Sequence, residues 1–210
     1  MKIKADLIKS TFNLLEASDI NFVVLRNFDK IPHNCSLKND IDLLVAKEDI
    51  PDLNNAMTKL GYSVFDDKGI YLYGAQPHIH YTNENYDVHF DVVNGLYYRS
   101  LLNRQWFVKI DEPLQNSMFD HKITTKSFWK YRPSHEDLVL HLCCHCIFDK
   151  NFVDKKYSDD ILHEYSQSEK IKIYDNLKQV FFKAADLIIE KLEKENLNDL
   201  FQSYISYSKY

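Results

Sequence analysis

Asp40 and Asp42 stand two residues apart at the mouth of an apolar run, Asn39-Asp40-Ile41-Asp42-Leu43-Leu44-Val45. The run reads as a strand. Period-two geometry then puts both carboxylates on one face and Ile41 and Leu43 on the other. Two acids side by side on a partly buried sheet repel each other, so stability alone does not place them there. A divalent cation relieves that repulsion, and oxygen ligands shared with waters and phosphates are what Mg²⁺ prefers. The plainer reading is an exposed turn with Asp40 capping the loop and Asp42 solvated. A second acidic strand weighs against it. In Tyr86-Asp87-Val88-His89-Phe90-Asp91-Val92-Val93, the residues Val88, Phe90 and Val92 alternate with Asp87, His89 and Asp91. One face is apolar; the other carries acid, imidazole and acid. Asp91 has apolar neighbours on both sides and is the buried candidate. Three acids aimed at one point form a one-metal or two-metal phosphoryl-transfer site.

An Asp-hydrophobic-Asp pair on one strand and a third Asp on a later strand resembles the nucleotidyltransferase superfamily. That fold is shared by the DNA polymerase beta palm, the aminoglycoside nucleotidyltransferases and the minimal nucleotidyltransferases. More closely, Val24-Leu25-Arg26-Asn27, a loop, then Asp40-Ile41-Asp42-Leu43-Leu44-Val45 is similar to a group of bacterial nucleotidyltransferase-like proteins. Those read V-L-R-G, loop, D-I-D-L-L-V, and some are encoded near surface-polysaccharide genes. The resemblance covers roughly the first half of the chain, with a weaker echo from Glu136 to Asp149. It implies that Asp40, Asp42 and Asp91 are the catalytic metal ligands, for Mg²⁺ or Mn²⁺, with a nucleoside triphosphate as co-substrate. The implied reaction moves a nucleoside monophosphate to a hydroxyl or phosphate of a small-molecule or sugar-phosphate acceptor. Where the superfamily carries Gly-Ser, this chain has Arg26-Asn27. A guanidinium fork can grip a phosphate, and Asn tolerates the left-handed turn a Gly would take. Arg26, Asn27 and Lys38 are the nucleotide-binding candidates. Two other readings stay open: a catalytically inactive relative that only binds a ligand or partner, and a transferase that modifies proteins as toxin systems do.

The 210 residues are 45% hydrophobic and 27% charged, an ordinary globular composition. A net charge of −5 argues against a broad nucleic-acid surface. No apolar stretch approaches membrane-spanning length and the N-terminus lacks a signal-peptide core, so a cytoplasmic location is expected. Cys143-Cys144-His145-Cys146 suits no disulfide framework, and reduced thiols follow.

The elements that must hold these residues can be read in order. Residues 3 to 18 carry Ile3, Leu7, Ile8, Phe12, Leu14 and Leu15 at helical spacing. Phe22 to Leu25 is a short strand ending at Arg26. Asp49-Ile50-Pro51 opens a helix that Gly61 closes. Strands are expected at Tyr62–Phe65, Ile70–Tyr73, His78–Tyr81 and Asp87–Val93. Leu96 to Phe107 reads as a helix or irregular cover, and residues 108 to 132 as linker-like. Ser134 caps a helix running to about Phe148, apolar nearly all round. Further helices follow near Asp159–Tyr165, Ile171–Lys194 and Leu197–Tyr207. The fold class is α+β: a nucleotidyltransferase-like mixed sheet with helices on one side over residues 1–110, then a helical domain over 111–210.

Three further clusters have both a chemical and a plain reading. His141, His145 and Asp149 share one face of the central helix. With the cysteines they could bind zinc, but buried Cys and His are more often core residues with ordinary partners. His145 and Asp149 are also candidates for touching substrate. His78, His80 and His89 share a sheet face, where His89 beside Asp91 would orient a ligand carboxylate or the acceptor. Lys122, Lys126, Lys130 and Arg132, with Phe128 and Trp129 between, could meet a triphosphate and stack a base; a solvated face is the plainer account.

Overall fold

The computed structural model describes residues 2–66, 78–102 and 107–207. A helix, α1 (Lys2–Ala17), precedes strand β1 (Phe22–Val24), and β2 (Ile41–Val45) is followed by α2 (Ile50–Lys59). Strands β3 (Ser63–Asp66), β4 (His78–Asn83) and β5 (Val88–Val93) complete a five-stranded sheet of order β1-β2-β5-β4-β3. The β2–β5 pair is parallel and the others antiparallel, so the sheet is mixed. The strand expected at Ile70–Tyr73 lies outside the described residues.

Alternation along the two central strands sorts their side chains. Ile41, Leu43 and Val45 with Val88, Phe90 and Val92 face α1 and α2, and join one apolar cluster with Ile8, Phe12, Leu15, Leu53 and Met57. Phe90, fully buried, sits against the rings of Phe12 and Tyr62. The α1 stripe is Ala5, Ile8, Thr11, Phe12 and Leu15, whereas Ile3 is exposed at the first turn. Pro51 occupies the first turn of α2, and Gly61 at φ +76° leads the chain out.

Leu44 and Val93, on the opposite face, join a second cluster built on the later helices. Here the structure corrects two expectations. Where a helix or irregular cover is expected from Leu96 to Phe107, the described residues Tyr97–Arg99 (β6) and Phe107–Lys109 (β7) pair antiparallel, because Tyr97, Tyr98 and Val108 suit a pleated ribbon. Residues 108 to 132 are not a linker. They hold α3 (Glu112–Asp120), opened by Pro113, and the short pair β8 (Ile123–Thr124) and β9 (Tyr131–Arg132). Trp129 is buried and stacked on Phe28, so it offers no base-stacking platform. Lys122 donates to Asn21, Lys130 to Glu16 and Arg132 to Glu164, which ties most of that cationic run into the fold.

Ser134 caps α4 (His135–Cys144), accepting from the Asp137 N–H at 3.1 Å. The helix is buried from Asp137 onward and passes into a π-helical turn at His145–Lys150. The helices α5 (Lys155–Ser166), α6 (Lys170–Phe181), α7 (Ala185–Glu193) and α8 (Leu200–Tyr207) surround it. The single helix expected at Ile171–Lys194 is broken at Phe182, whose φ of +51° cannot continue a right-handed helix. Cys143, Cys144 and Cys146 are buried free thiols, which burial pushes above their ordinary pKa. They act as small apolar side chains. Among the described residues no helix is long and apolar enough to cross a membrane.

Candidate active site

The carboxylates converge through strand register. Asp42 in β2 stands directly opposite Asp91 in β5, and Asp40 precedes β2 on the Asp42 face. One oxygen from each of the three lies within 4.8 Å of the others. Among the described residues this is the one group of three or more potential ligands so close. Most apolar side chains of these strands lie on the other face, and Leu44 and Val93 on the acids' own face pack into the second cluster, so core packing on both sides fixes the spacing of the acids.

Asp42 is only 4% exposed. Burial raises its pKa to about 6; Arg26 opposes the rise, while Asp40 and Asp91 add to it. Arg26 is delivered by the end of β1, where the Leu25 N–H donates to the Asp42 carbonyl. Its Nη2 donates to Asp42 Oδ1 at 2.6 Å and its Nε to Oδ2 at 2.9 Å. Burial works against the guanidinium's charge, but Asp42, together with Tyr157 and Asp40, more than restores it, and the net shift is upward. Asn27 at φ +59° turns the chain away, the left-handed step expected of it, and its amide lies 3.4 Å from Asp42 Oδ2. Each carboxylate oxygen has a second lone pair, so Asp42 can accept from Arg26 and still meet a cation. An all-oxygen set around a buried carboxylate short of positive charge fits Mg²⁺ or Mn²⁺.

Beyond Arg26 the site is completed by the helical part. Arg26 Nη1 lies 2.9 and 3.2 Å from the two ring nitrogens of His145. His145 Nδ1 is 3.0 Å from Asp149 Oδ2, and Nε2 is 3.2 Å from the Tyr157 hydroxyl. Asp149 Oδ1 accepts from the Arg99 N–H. Burial, reinforced by Arg26, lowers the His145 pKa to about 4 despite Asp149, so the ring is neutral at pH 7. His145 and Asp149 sit on the π-helical turn, a distortion that recurs at functional sites.

Arg26 lines two cavities. One, of about 160 Å³, holds Asp42, Asp91, His78, His141, His145 and Asp149 among its walls. The other, of about 380 Å³, includes Asn27, Phe28, Lys156 and His163. Lys156 donates to Asn27 Oδ1 at 3.0 Å and to Asp29 at 3.1 Å.

Two sequence expectations fall elsewhere. His89 does not serve Asp91: in the β4–β5 register it pairs with Thr82, and its ring meets His80 at 3.0 Å. The partner of Asp91 is His78, whose Nδ1 donates at 2.7 Å. Burial alone would raise the Asp91 pKa, and the bond from His78 brings it below the usual carboxylate value. The alternation His78-Ile79-His80 puts both imidazoles on the acid face; the register sets His80 opposite Asp91, with Nδ1 at 3.7 Å, but it is His78, two residues along, that closes to bonding distance. Lys38 lies exposed on the Ser36–Asn39 turn, donating from its backbone to Ser36, and lines neither cavity beside Arg26. Lys156 and Tyr157, at the start of α5, carried no motif that marked them.

A search of curated protein sequences finds no match. Among solved structures, the fold is similar to the solution structure of the antibiotic-resistance factor ANT(2'')-Ia, with a TM-score of 0.54 at 10% identity, covering 93% of this chain and 99% of that one. The model of the family described as "uncharacterised nucleotidyltransferase" matches residues 34–192, well over half of the chain, with Asp40, Asp42, Asp91, His145 and Asp149 inside the match. The chain belongs to this nucleotidyltransferase family.

Proposed function

We propose that the protein is a metal-dependent nucleotidyltransferase that moves a nucleoside monophosphate from a nucleoside triphosphate to a small-molecule acceptor. The observation that carries this reading is the convergence of Asp40, Asp42 and Asp91 within 4.8 Å beside a buried arginine. These three carboxylates would hold Mg²⁺ or Mn²⁺; the cation, when bound, neutralises phosphate charge and acidifies a coordinated hydroxyl. Arg26 offers its remaining donors to the phosphates, and Lys156 stands ready on the other side of Asn27. His78 keeps Asp91 ionised. In the reaction the acceptor oxygen bonds to the α-phosphorus as the bond to pyrophosphate breaks, and the acceptor proton is lost to water. The acceptor is a small molecule because the chain is acidic, at −5, and most of its one cationic run is engaged in internal contacts. The chain works as two parts, 1–110 and 111–210, the second supplying His145 and Asp149 to the edge of the site. The two apolar clusters follow this division only in part, since Leu25, Leu44, Val93, Leu96 and Tyr98 pack with the later helices and Trp129 packs with the sheet.

The test is transfer of radiolabel from α-labelled triphosphates, with pyrophosphate release, for wild type and Asp40→Asn. Release that needs both Mg²⁺ and Asp40 bears the reading out; release undiminished in Asp40→Asn refutes it. A second reading, an inactive relative that binds its ligand, draws on the clasp of Arg26 over both Asp42 oxygens. Triphosphate binding without pyrophosphate release is its expected result.

A further inference from the structure

His141 lies in the middle of α4, 4% exposed, and lines the 160 Å³ cavity that also holds Asp42 and Asp91. Its Nδ1 is 2.8 Å from the hydroxyl of Tyr98, which is itself buried. Its Nε2 is buried with no hydrogen-bond partner among the described residues. Such an orphan is uncommon, and in a cavity wall it marks where a ligand or water completes the bonding.

The tautomer follows by counting. Burial holds the Tyr98 phenol neutral and His141 uncharged. If Nδ1 carried the hydrogen, the Tyr98 hydroxyl hydrogen and the Nε2 lone pair would both lack partners. With Tyr98 donating to Nδ1, one group is left over: an Nε2–H donor. The ring is held in place by Tyr98 on one side and by the stacked ring of His145 on the other.

The cavity that His141 lines does not select for negative charge. Arg26 is clasped by Asp42, His78 by Asp91, His145 is neutral beside Asp149, and the second arginine of the wall, Arg99, lies over the Phe107 ring, so the two guanidiniums are outnumbered by Asp42, Asp91 and Asp149. Its remaining walls are largely apolar or aromatic, including Leu96, Tyr97, Tyr98 and Phe107. The volume corresponds to about five waters, the scale of one small ring. Flat apolar walls with one neutral donor and acidic acceptors suit a molecule with apolar faces and hydroxyl edges.

We propose that this cavity is the acceptor subsite, and that His141 Nε2–H donates to a hydroxyl oxygen of a small neutral polyol such as a sugar ring or cyclitol. The assignment rests on reading Asp40, Asp42 and Asp91 as the transfer centre, because two of those acids share its walls.

The test follows the imidazole ¹⁵N–¹H signals of the full-length wild type, histidine-labelled, during titration with myo-inositol and glucose. Inorganic phosphate and Mg²⁺·ATP serve as comparators. The His141 Nε2–H signal should shift saturably with at least one of the two neutral probes. His141→Phe should weaken that probe about tenfold or more, while stabilisation by Mg²⁺·ATP persists. Tyr98→Phe, which frees the tautomer while keeping the cavity wall, should weaken the probe as well. If neither probe moves the signal, or only phosphate or ATP does, the assignment is overturned. A polyol response in a protein that Mg²⁺·ATP fails to stabilise would sustain the subsite and remove the transfer-centre reading instead.

Discussion

Protons and a divalent cation should compete for Asp42, and the size of that competition can be worked out. In the unfolded chain Asp42 titrates near 3.8; in the fold burial moves it to about 6. About two pH units correspond to about 3 kcal/mol. The sign follows from linkage. Below the unfolded value the carboxyl is protonated in both states and nothing is lost. As pH rises through the folded value the buried carboxylate must ionise, and stability falls by up to that amount. A cation shared by Asp40, Asp42 and Asp91 offsets the loss, so its benefit must grow with pH. For a chain of this size each kcal/mol moves Tm by roughly 2–4 °C, giving up to about 6–12 °C. Thermal unfolding with and without millimolar MgCl₂, from about pH 4.5 to about pH 7.5, measures it. The Mg²⁺-induced rise should be small at the acid end and largest above neutrality. Asp40→Asn, which removes one ligand and leaves the Arg26–Asp42 pair intact, should flatten the curve. A rise equal at both ends, or undiminished in Asp40→Asn, would refute the reasoning.

Other outcomes follow from the same geometry. Asp42→Asn should differ from Asp40→Asn in more than activity: it strands the buried Arg26 guanidinium, which costs about 3–5 kcal/mol, visible as a lower urea midpoint. Arg26→Lys keeps the charge but loses the fork that fills both Asp42 oxygens, and triphosphate KM should rise by more than tenfold with folding retained; an unchanged KM would remove Arg26 from phosphate binding. Phe90→Ala opens a cavity against Phe12 and Tyr62 and should cost about 3–5 kcal/mol by denaturant unfolding. His78→Gln should raise the pKa of Asp91, readable by carboxyl ¹³C titration, because the bond at 2.7 Å from His78 opposes the effect of burial.

Local pattern made much of this molecule legible. Alternation along Asp40–Val45 and Val88–Val93 separates acids from core, and the two strands lie with those faces matched. The Asn27 turn and the Ser134 cap follow from single-residue preferences that tertiary packing had no reason to override. What failed was long-range. The β4–β5 register sets His80 opposite Asp91, yet the bond comes from His78, diagonally across on the same face, and no local spacing encodes that. The contact of Arg26 with His145 joins positions 119 apart. The ribbon at Tyr97–Arg99 and the helix at Glu112–Asp120 were hidden because short, partly exposed elements carry weak periodicity.

The parallel register of β2 and β5 has an evolutionary consequence. Apart from Leu44 and Val93, the apolar side chains of the two strands and the acids that project from them lie on opposite faces. Substitution of Asp40 or Asp91 therefore leaves the adhesive face of the sheet untouched, while loss of Phe90, or of Asp42 beneath its buried Arg26, strikes at stability. Descendants of such a chain can shed chemistry far more readily than architecture. A lineage built on this sheet should accumulate members that keep the shape and the cavity after the carboxylates have drifted, ready to be recruited for binding alone.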